Sequence, residues 1–215
     1  MCGSSVGSVV SRNLVRQSNQ RCYVMHGSHD VTLDSNVAFD TRGHCFMLED
    51  HSEQRNQFLN NLAAVTRKVD VKIRDQETDE FPSSFWISNP ENTFVGNVAA
   101  GSEHSGFWFE MKDSVRGPSA ILQNMDGSFV YSGYKPKEAP LTLFQGNVAH
   151  SNYEHGVKTY PGTGYKPVGD PAVFLDTKSF RNSGKGVFIH NSYNIKIVGG
   201  LVSWKSYILF EGMWN

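Results

Sequence analysis

The sequence predicts an all-β protein, a right-handed parallel β-helix, and three observations predict it. The triplet Asn-Val-Ala recurs at 36–38, 97–99 and 147–149, with a close copy at Asn61-Leu62-Ala63. A short β-type run precedes each copy, and a glycine with a second apolar run follows three of them. No long segment carries the 3.6-residue period of an amphipathic helix. Repetition of this kind marks a solenoid, in which each coil buries its apolar side against the next.

Taken in order, Val31-Thr32-Leu33, Gln57-Phe58-Leu59, Thr93-Phe94-Val95 and Leu141-Thr142-Leu143-Phe144 supply the strand before each triplet. The second apolar run begins at a shared glycine, in Gly43 to Leu48, Gly106 to Phe109 and Gly156 to Thr159, and Gly186 to Ile189 repeats this second half. Leu59 to Lys68 is read as strand, not helix, because of its place in the repeat. A second correspondence supports the first: His26 to Leu33 matches His190 to Ile197, and Asn36-Val37-Ala38 then answers to Gly200-Leu201-Val202. The triplets follow one another after 25, 36 and 50 residues. A constant coil of about 22–25 residues, enlarged by insertions, explains those intervals. The insertions are the charged stretch Lys68 to Glu80 and the Gly-, Pro-, Lys- and Tyr-rich stretches Lys112 to Ala139 and Tyr160 to Asp170. Nine or ten rungs are expected, a rod on the order of 45 Å long. Asparagine is expected at the turn, where it tolerates left-handed geometry and its amide can pair with the Asn one rung away. One β-helix domain is expected over residues 1–215. With no capping helix evident, the chain is read as a fragment of a larger protein with neighbouring domains.

Composition narrows the partners. Lys and Arg number 20 against 21 Asp and Glu, a net charge of −1. A chain so balanced has no global footprint for nucleic acid and no polybasic cluster for an anionic membrane. No run approaches the ~18 apolar residues of a membrane span, and no N-terminal signal-like apolar region is evident. Cys2, Cys22 and Cys45 form neither a disulfide framework nor a zinc pattern. Cys22 and Cys45 are either bridged or two buried thiols.

The blocks Gly43-His44-Cys45-Phe46-Met47-Leu48-Glu49-Asp50, Phe85-Trp86-Ile87-Ser88-Asn89-Pro90 and Ala99-Ala100-Gly101-Ser102-Glu103-His104-Ser105-Gly106-Phe107-Trp108-Phe109 occur in this order. Together they resemble the β-helix region shared by the cell-migration-inducing hyaluronan-binding proteins, the cell-surface hyaluronidases and the fibrocystins. The resemblance covers roughly residues 10 to 158, and the tail matches more loosely. It implies a parallel β-helix in a large extracellular or cell-surface protein with a connection to hyaluronan, as binding or depolymerisation. The family's G8 domain is not recognisable here, and the resemblance supplies no catalytic residues.

The site is therefore read from chemistry. Aligned on the shared glycine, Arg42 and His44, Glu103 and His104, Glu154 and His155, and Lys185 fall in one polar column. Such a column is either a solvated turn or the wall of a glycan groove. Glycoside hydrolysis needs two carboxylates about 5–5.5 Å apart for retention or 6.5–9.5 Å for inversion. Glu49 or Asp50 paired with Glu103 could supply them, with His44 and His104 as orienting or proton-transferring groups. The alternative is that Glu49 and Asp50 pair with Arg42 or Arg55, or cap a turn. Arg42, Asn89, Trp86, Trp108 and His155 are the substrate-binding candidates. An indole packs in a core by default, but an exposed one stacks on a pyranose. Asn89-Pro90 also reads as a tight turn. The competing chemistry is β-elimination, with calcium on Asp30, Asp34 and Asp40 neutralising a uronate. A zinc set of His26, His29, His44 and His51 follows no ligand spacing. The reading is thus an extracellular module that binds or depolymerises an anionic, hyaluronan-like polysaccharide, against a non-catalytic scaffold of the fibrocystin kind. With net charge near zero, a polyanion must be met by a local cluster such as Arg42, Arg55 and Arg67.

Overall fold

The computed structural model describes residues 5–71, 78–159, 163–203 and 207–211. It is a parallel β-helix in which every coil contributes one strand to each of three seven-stranded sheets. The first sheet holds Val9–Ser11, Thr32–Asp34, Gln57–Leu59, Thr93–Val95, Leu143–Gln145, Ala172–Leu175 and Ile195–Val198. The second holds Leu14–Arg16, Val37–Arg42, Leu62–Arg67, Val98–Ala100, Val148–His150, Lys178–Phe180 and Leu201–Ser203. The third holds Tyr23–Met25, Phe46–Leu48, Ser83–Ile87, Ser105–Phe109, Val157–Lys158, Val187–His190 and Ile208–Glu211. The described residues form seven rungs, not nine or ten. The insertions take more of the chain than the repeat spacing implies, and a stack of seven rungs spans roughly 30 Å.

In-register parallel stacking places like residues over like, so the repeat becomes a set of ladders. Leu33, Phe58, Phe94, Phe144, Phe174 and Ile197 share one inward column of the first sheet. Tyr23, Phe46, Phe85 and Phe107 stack along the third with centroids 4.7 Å apart, near the rung spacing. Facing them, the second sheet presents Ala38, Ala63, Ala99 and Ala149, small enough to leave the narrow interior to the rings.

The triplet asparagines form the expected ladder, fully buried. Asn36 Nδ2 donates to Asn61 Oδ1, Asn61 to Asn97 and Asn97 to Asn147, each at 3.0 Å. The left-handed turn, however, falls one residue earlier, at Ser35, Asn60, Gly96 and Gly146, with φ of 53° to 68°. The asparagine is thereby left to aim its amide along the axis. The shared glycine also needs a correction. Gly106, Gly156 and Gly186 occupy one column, because a Cβ at Gly156 would lie 2.5 Å from the carbonyl of Gly186. Cys45, not Gly43, is level with them, so the polar column slips by two residues in its second rung.

Cys22 and Cys45 are bridged across the first two rungs, 23 residues apart. Closing a loop of that size stabilises by about 3 kcal/mol. Reduction is expected to remove that stability and lower the melting temperature by roughly 6–12 °C. A thermal melt unchanged by reductant would show that the bridge contributes nothing.

Of the insertions, segment 110–142 carries the helical turns Gly117–Ala120 and Pro136–Glu138 and a bridge between Gln123 and Phe129. It folds back over the trailing edge of the third sheet, where Arg116 Nε donates to Glu49 O at 2.7 Å and Ser119 Oγ to Asp50 Oδ2 at 2.7 Å. Gly117 is obligatory there: its φ is 61°, and a Cβ would lie 2.7 Å from Asp50 Oδ1. Residues 72–77 of the charged insertion, 160–162 of the third insertion and the tail 212–215 lie outside the described residues.

Candidate functional site

The outward column of the third sheet runs Val24, Met47, Trp86, Trp108, Lys158, Phe188 and Leu209. The flanking segments close over its middle. Trp86 is 3% and Trp108 1% exposed, so neither indole presents an open face to a sugar. His44 is fully buried between them, stacked on Trp86 at 5.3 Å. Its Nδ1 accepts from Ser83 N at 3.2 Å, so Nε2 carries the proton and donates to Thr78 Oγ1 at 2.9 Å. Burial holds its pKa at about 3, with Asp79 pulling the other way.

The predicted carboxylates go to different partners. Glu49 pairs with Arg21 at 3.0 Å. Asp50 accepts from Ser119 and lies 2.7 Å from His26 Nδ1. Glu103 accepts from Lys68 N at 2.9 Å and sits 3.7 Å from Arg67. Glu49 and Asp50 follow a strand of the third sheet in the second rung, whereas Glu103 precedes one in the fourth. The structure therefore places them at opposite edges of that sheet. Asn89 is buried, its Nδ2 donating to His51 O and Tyr134 Oη, both at 2.8 Å. Behind Asp50, burial raises the fully enclosed Glu53 to about 7.

A compact polar group lies at the leading edge of the third sheet. Lys158 Nζ sits 3.9 Å over the Trp108 ring, 3.2 Å from His104 Nδ1 and 3.4 Å from Glu154 Oε2. An ammonium only donates, so His104 Nδ1 accepts and Nε2–H donates to Glu154 Oε2 at 2.7 Å. Lys185 N donates to His155 Nδ1 at 3.1 Å, which turns Nε2 toward Glu154, 3.6 Å away. Lys158 is 2% exposed while the Glu154 side chain is 40% exposed. Burial lowers Lys158 to about 8, with Glu154 opposing. Burial would raise Glu154, but the His104 hydrogen bond and the Lys158 charge prevail and hold it at about 2. His155 is lowered by burial to about 4.

Next to this corner, Gln17, Asn19, Asp40, Arg42 and Arg67 line an open cleft of about 370 Å³. Arg42 and Arg67 are register partners one rung apart. Arg67 pairs with Asp40 at 2.6 Å and Arg42 with Asp70 at 2.7 Å. Arg55 is elsewhere, on Asp30 at 2.7 Å. Of the suggested calcium residues, Asp30 and Asp40 are thus bound to arginines, and Asp34 accepts from Ser35 and Asn60. Among the described residues, no group of three or more His, Cys, Asp or Glu is placed to hold a metal ion.

Sequence reasoning grouped His104, Glu154 and His155 correctly as neighbours but passed over Lys158 and Asp79. Lys158 interrupts an apolar column in register with Trp108, which is a readable signal once the register is known. Asp79 sits in a patternless insertion; it accepts from His44 N at 2.9 Å and pairs with Arg21 at 3.1 Å, and nothing in the sequence marks it.

Comparison with known proteins places these features in context. A family model, the CEMIP β-helix, matches residues 1–157. The human cell surface hyaluronidase CEMIP2 is 30% identical over 184 residues, 75% of this chain and 13% of that protein. The human cell migration-inducing and hyaluronan-binding protein is 31% identical over 172 residues, 67% of this chain and 12% of that protein. Mouse fibrocystin-L is 31% identical over 174 residues, 78% of this chain and 4% of that protein. The chain thus spans only a small part of the length of these relatives.

Proposed function

The chain belongs to the CEMIP β-helix family, and from that premise we propose that it is an extracellular or cell-surface module that binds an anionic polysaccharide of the hyaluronan type. The observation that carries this reading is the Arg42–Arg67 cleft. It sets two arginines in register one rung apart, in a chain whose net charge of −1 requires a polyanion to be met by a local cluster. Their present partners are carboxylates at the surface, Asp70 exposed and Asp40 half-buried, and such surface pairs contribute about 0–1 kcal/mol. A sugar carboxylate can replace them with a charge-assisted, bidentate contact. The names of the human relatives support hyaluronan as the ligand. The Cys22–Cys45 disulfide supports an oxidising compartment. No helix among the described residues is long and apolar enough to cross a membrane.

Binding is favoured over cleavage because Glu49, Asp50 and Glu103 are each engaged by separate partners, not converged on a groove. Incubation with size-defined hyaluronan, with and without calcium, is expected to leave chain length unchanged while a complex forms. Replacing Arg42 and Arg67 together with alanine is expected to weaken that complex about tenfold and flatten its salt dependence. An unaltered affinity would remove the cleft from the proposal. The scaffold reading, favoured by the closed ion pairs and by the fibrocystin-L relative, predicts no complex at any salt concentration.

A further inference from the structure

Independently of the glycan reading, we propose that the outward face of the second sheet is an interface with a second copy of this chain, the two packed face to face about a two-fold axis along the strands. That face is apolar where the wall of a solenoid is ordinarily polar. One outward column runs Leu14, Val37, Leu62, Val98, Val148, Lys178 and Leu201. The other runs Arg16, Phe39, Ala64, Ala100, His150, Phe180 and Ser203. The corresponding face of the first sheet carries Thr32, Gln57, Thr93 and Lys196, and the middle of the third is closed over by its flanking segments. On the second sheet Leu14, Phe39 and Leu201 are 64%, 43% and 51% exposed, and Val37, Leu62, Val98 and Val148 are half-buried. A contiguous apolar stripe of this kind marks a surface that another molecule covers.

The occupant follows from the symmetry of the pattern. A two-fold contact sets each residue of one copy against its counterpart in the other, so the surface must complement itself. An axis along the central strand, Val98–Ala100, keeps the strand direction and reverses the helix axis. Each rung then lies on the rung equally far from the centre in the other copy. Leu14 meets Leu201, Leu62 meets Val148, and Val98 meets Val98. Phe39 meets Phe180, ring on ring, while the small Ala64 leaves room for His150. The rim matches in charge as well. Left-handed turns close the sheet at Asp40 and Arg181, with φ of 54° and 56°, two rungs to either side of the centre. Each copy's Asp40 thus comes opposite the Arg181 of the other, and among the described residues of the two columns no like charges are opposed. Aligned sheets pack about 10 Å apart. Seven rungs of two columns bury on the order of 1,000 Å² in total, the lower end for a specific interface and enough for a weak dimer.

Sedimentation equilibrium of the chain from about 1 to 200 µM tests this, with thermal melts confirming that each variant folds. Wild type is expected to show a monomer–dimer equilibrium with a dissociation constant on the order of 10 µM. Phe39→Glu, at an exposed position, is expected to weaken the dimer at least tenfold without moving the melt. Arg181→Glu is expected to weaken it by setting two carboxylates together, and adding Asp40→Lys to the same chain is expected to restore it. A wild type that stays monomeric throughout overturns the proposal and leaves the face to a different partner. So does a dimer indifferent to both Phe39→Glu and Phe180→Glu, or assembly that grows past the dimer, which would point to pairing of the solenoid ends. A dimer that the charge exchange fails to restore overturns the two-fold pairing. None of these results bears on the Arg42–Arg67 cleft, whose own test is glycan binding.

Discussion

Replacing Asn97 with alanine is expected to destabilise the protein by about 3–5 kcal/mol, because four buried polar groups lose a hydrogen bond at once. Asn97 Oδ1 accepts from both Asn61 N and Asn61 Nδ2 at 3.0 Å, and its Nδ2 donates to Phe58 O at 2.8 Å and to Asn147 Oδ1 at 3.0 Å. Water cannot reach these groups, since Asn61 and Asn97 are wholly enclosed. In a chain of this length the loss corresponds to roughly 10 °C in melting temperature. The end of the ladder provides the control. Asn13 is exposed, and its amide serves only Ser11 O and Asn36. Asn13→Ala should cost under about 1 kcal/mol, because the freed groups can be hydrated. Chemical denaturation of both variants decides the matter: equal losses at Asn13 and Asn97 would mean that the ladder is not cooperative.

Mild acid is expected to have an effect of similar size. His44 and His51 are buried with pKa values of about 3, and His155 with one of about 4. Each titrates near 6.5 when unfolded. Between pH 6.5 and the folded values the unfolded chain binds more protons, so stability present above 6.5 is lost as the pH falls. By pH 5 each such histidine costs about 2 kcal/mol. Glu53 acts in the opposite sense. Burial raises it to about 7, so its folded form gains a proton first and stability rises as the pH falls from 7 toward 4.5. Glu110, also raised by burial, adds to that opposition. The net loss from pH 7 to 5 is about 2–4 kcal/mol. Glu53→Gln should steepen it by removing the counterweight. Melts between pH 5 and 7 that are flat in wild type and variant alike would contradict the buried, neutral state of these imidazoles.

The repeat was legible because a parallel β-helix makes sequence identity energetically useful. Asn stacked on Asn and Phe on Phe satisfy one another only at equal phase, so Asn36, Asn61, Asn97 and Asn147 announce the coil before any coordinate is known. The turn itself was harder to read. Left-handed geometry falls on Ser35 and Asn60 as readily as on Gly96 and Gly146, so no single residue type marks it. The glycine phase slipped at Gly43 because Cys45 occupies the close-packed position there, with its sulfur tied to Cys22.

The candidate site was legible in part, for a related reason. His104, Glu154 and His155 follow from phase alone, since neighbouring rungs must bring them together. Lys158 did not, because a lysine in a short apolar strand looks like an edge residue until Trp108 is known to lie directly beneath it. Asp79, Arg116 and Ser119 lie in insertions with no period, and a chain without a period carries no information about which rung it will cover.

The sequence by itself determined the coil, the asparagine ladder and the family, all properties of local phase repeated along an axis, while the third strand of each rung, in the triplet itself, came with the structure. Only the tertiary structure decided which polar residues stay open to a ligand. The insertions help shut Trp86, His44 and Asn89 away and engage Asp50, leaving the Arg42–Arg67 cleft and the Glu154 corner at the surface. The physical reason is that rung contacts are nearest-neighbour and written into the repeat. The cover of a sheet face instead depends on long-range packing of loops whose side chains find their partners only after the solenoid has formed.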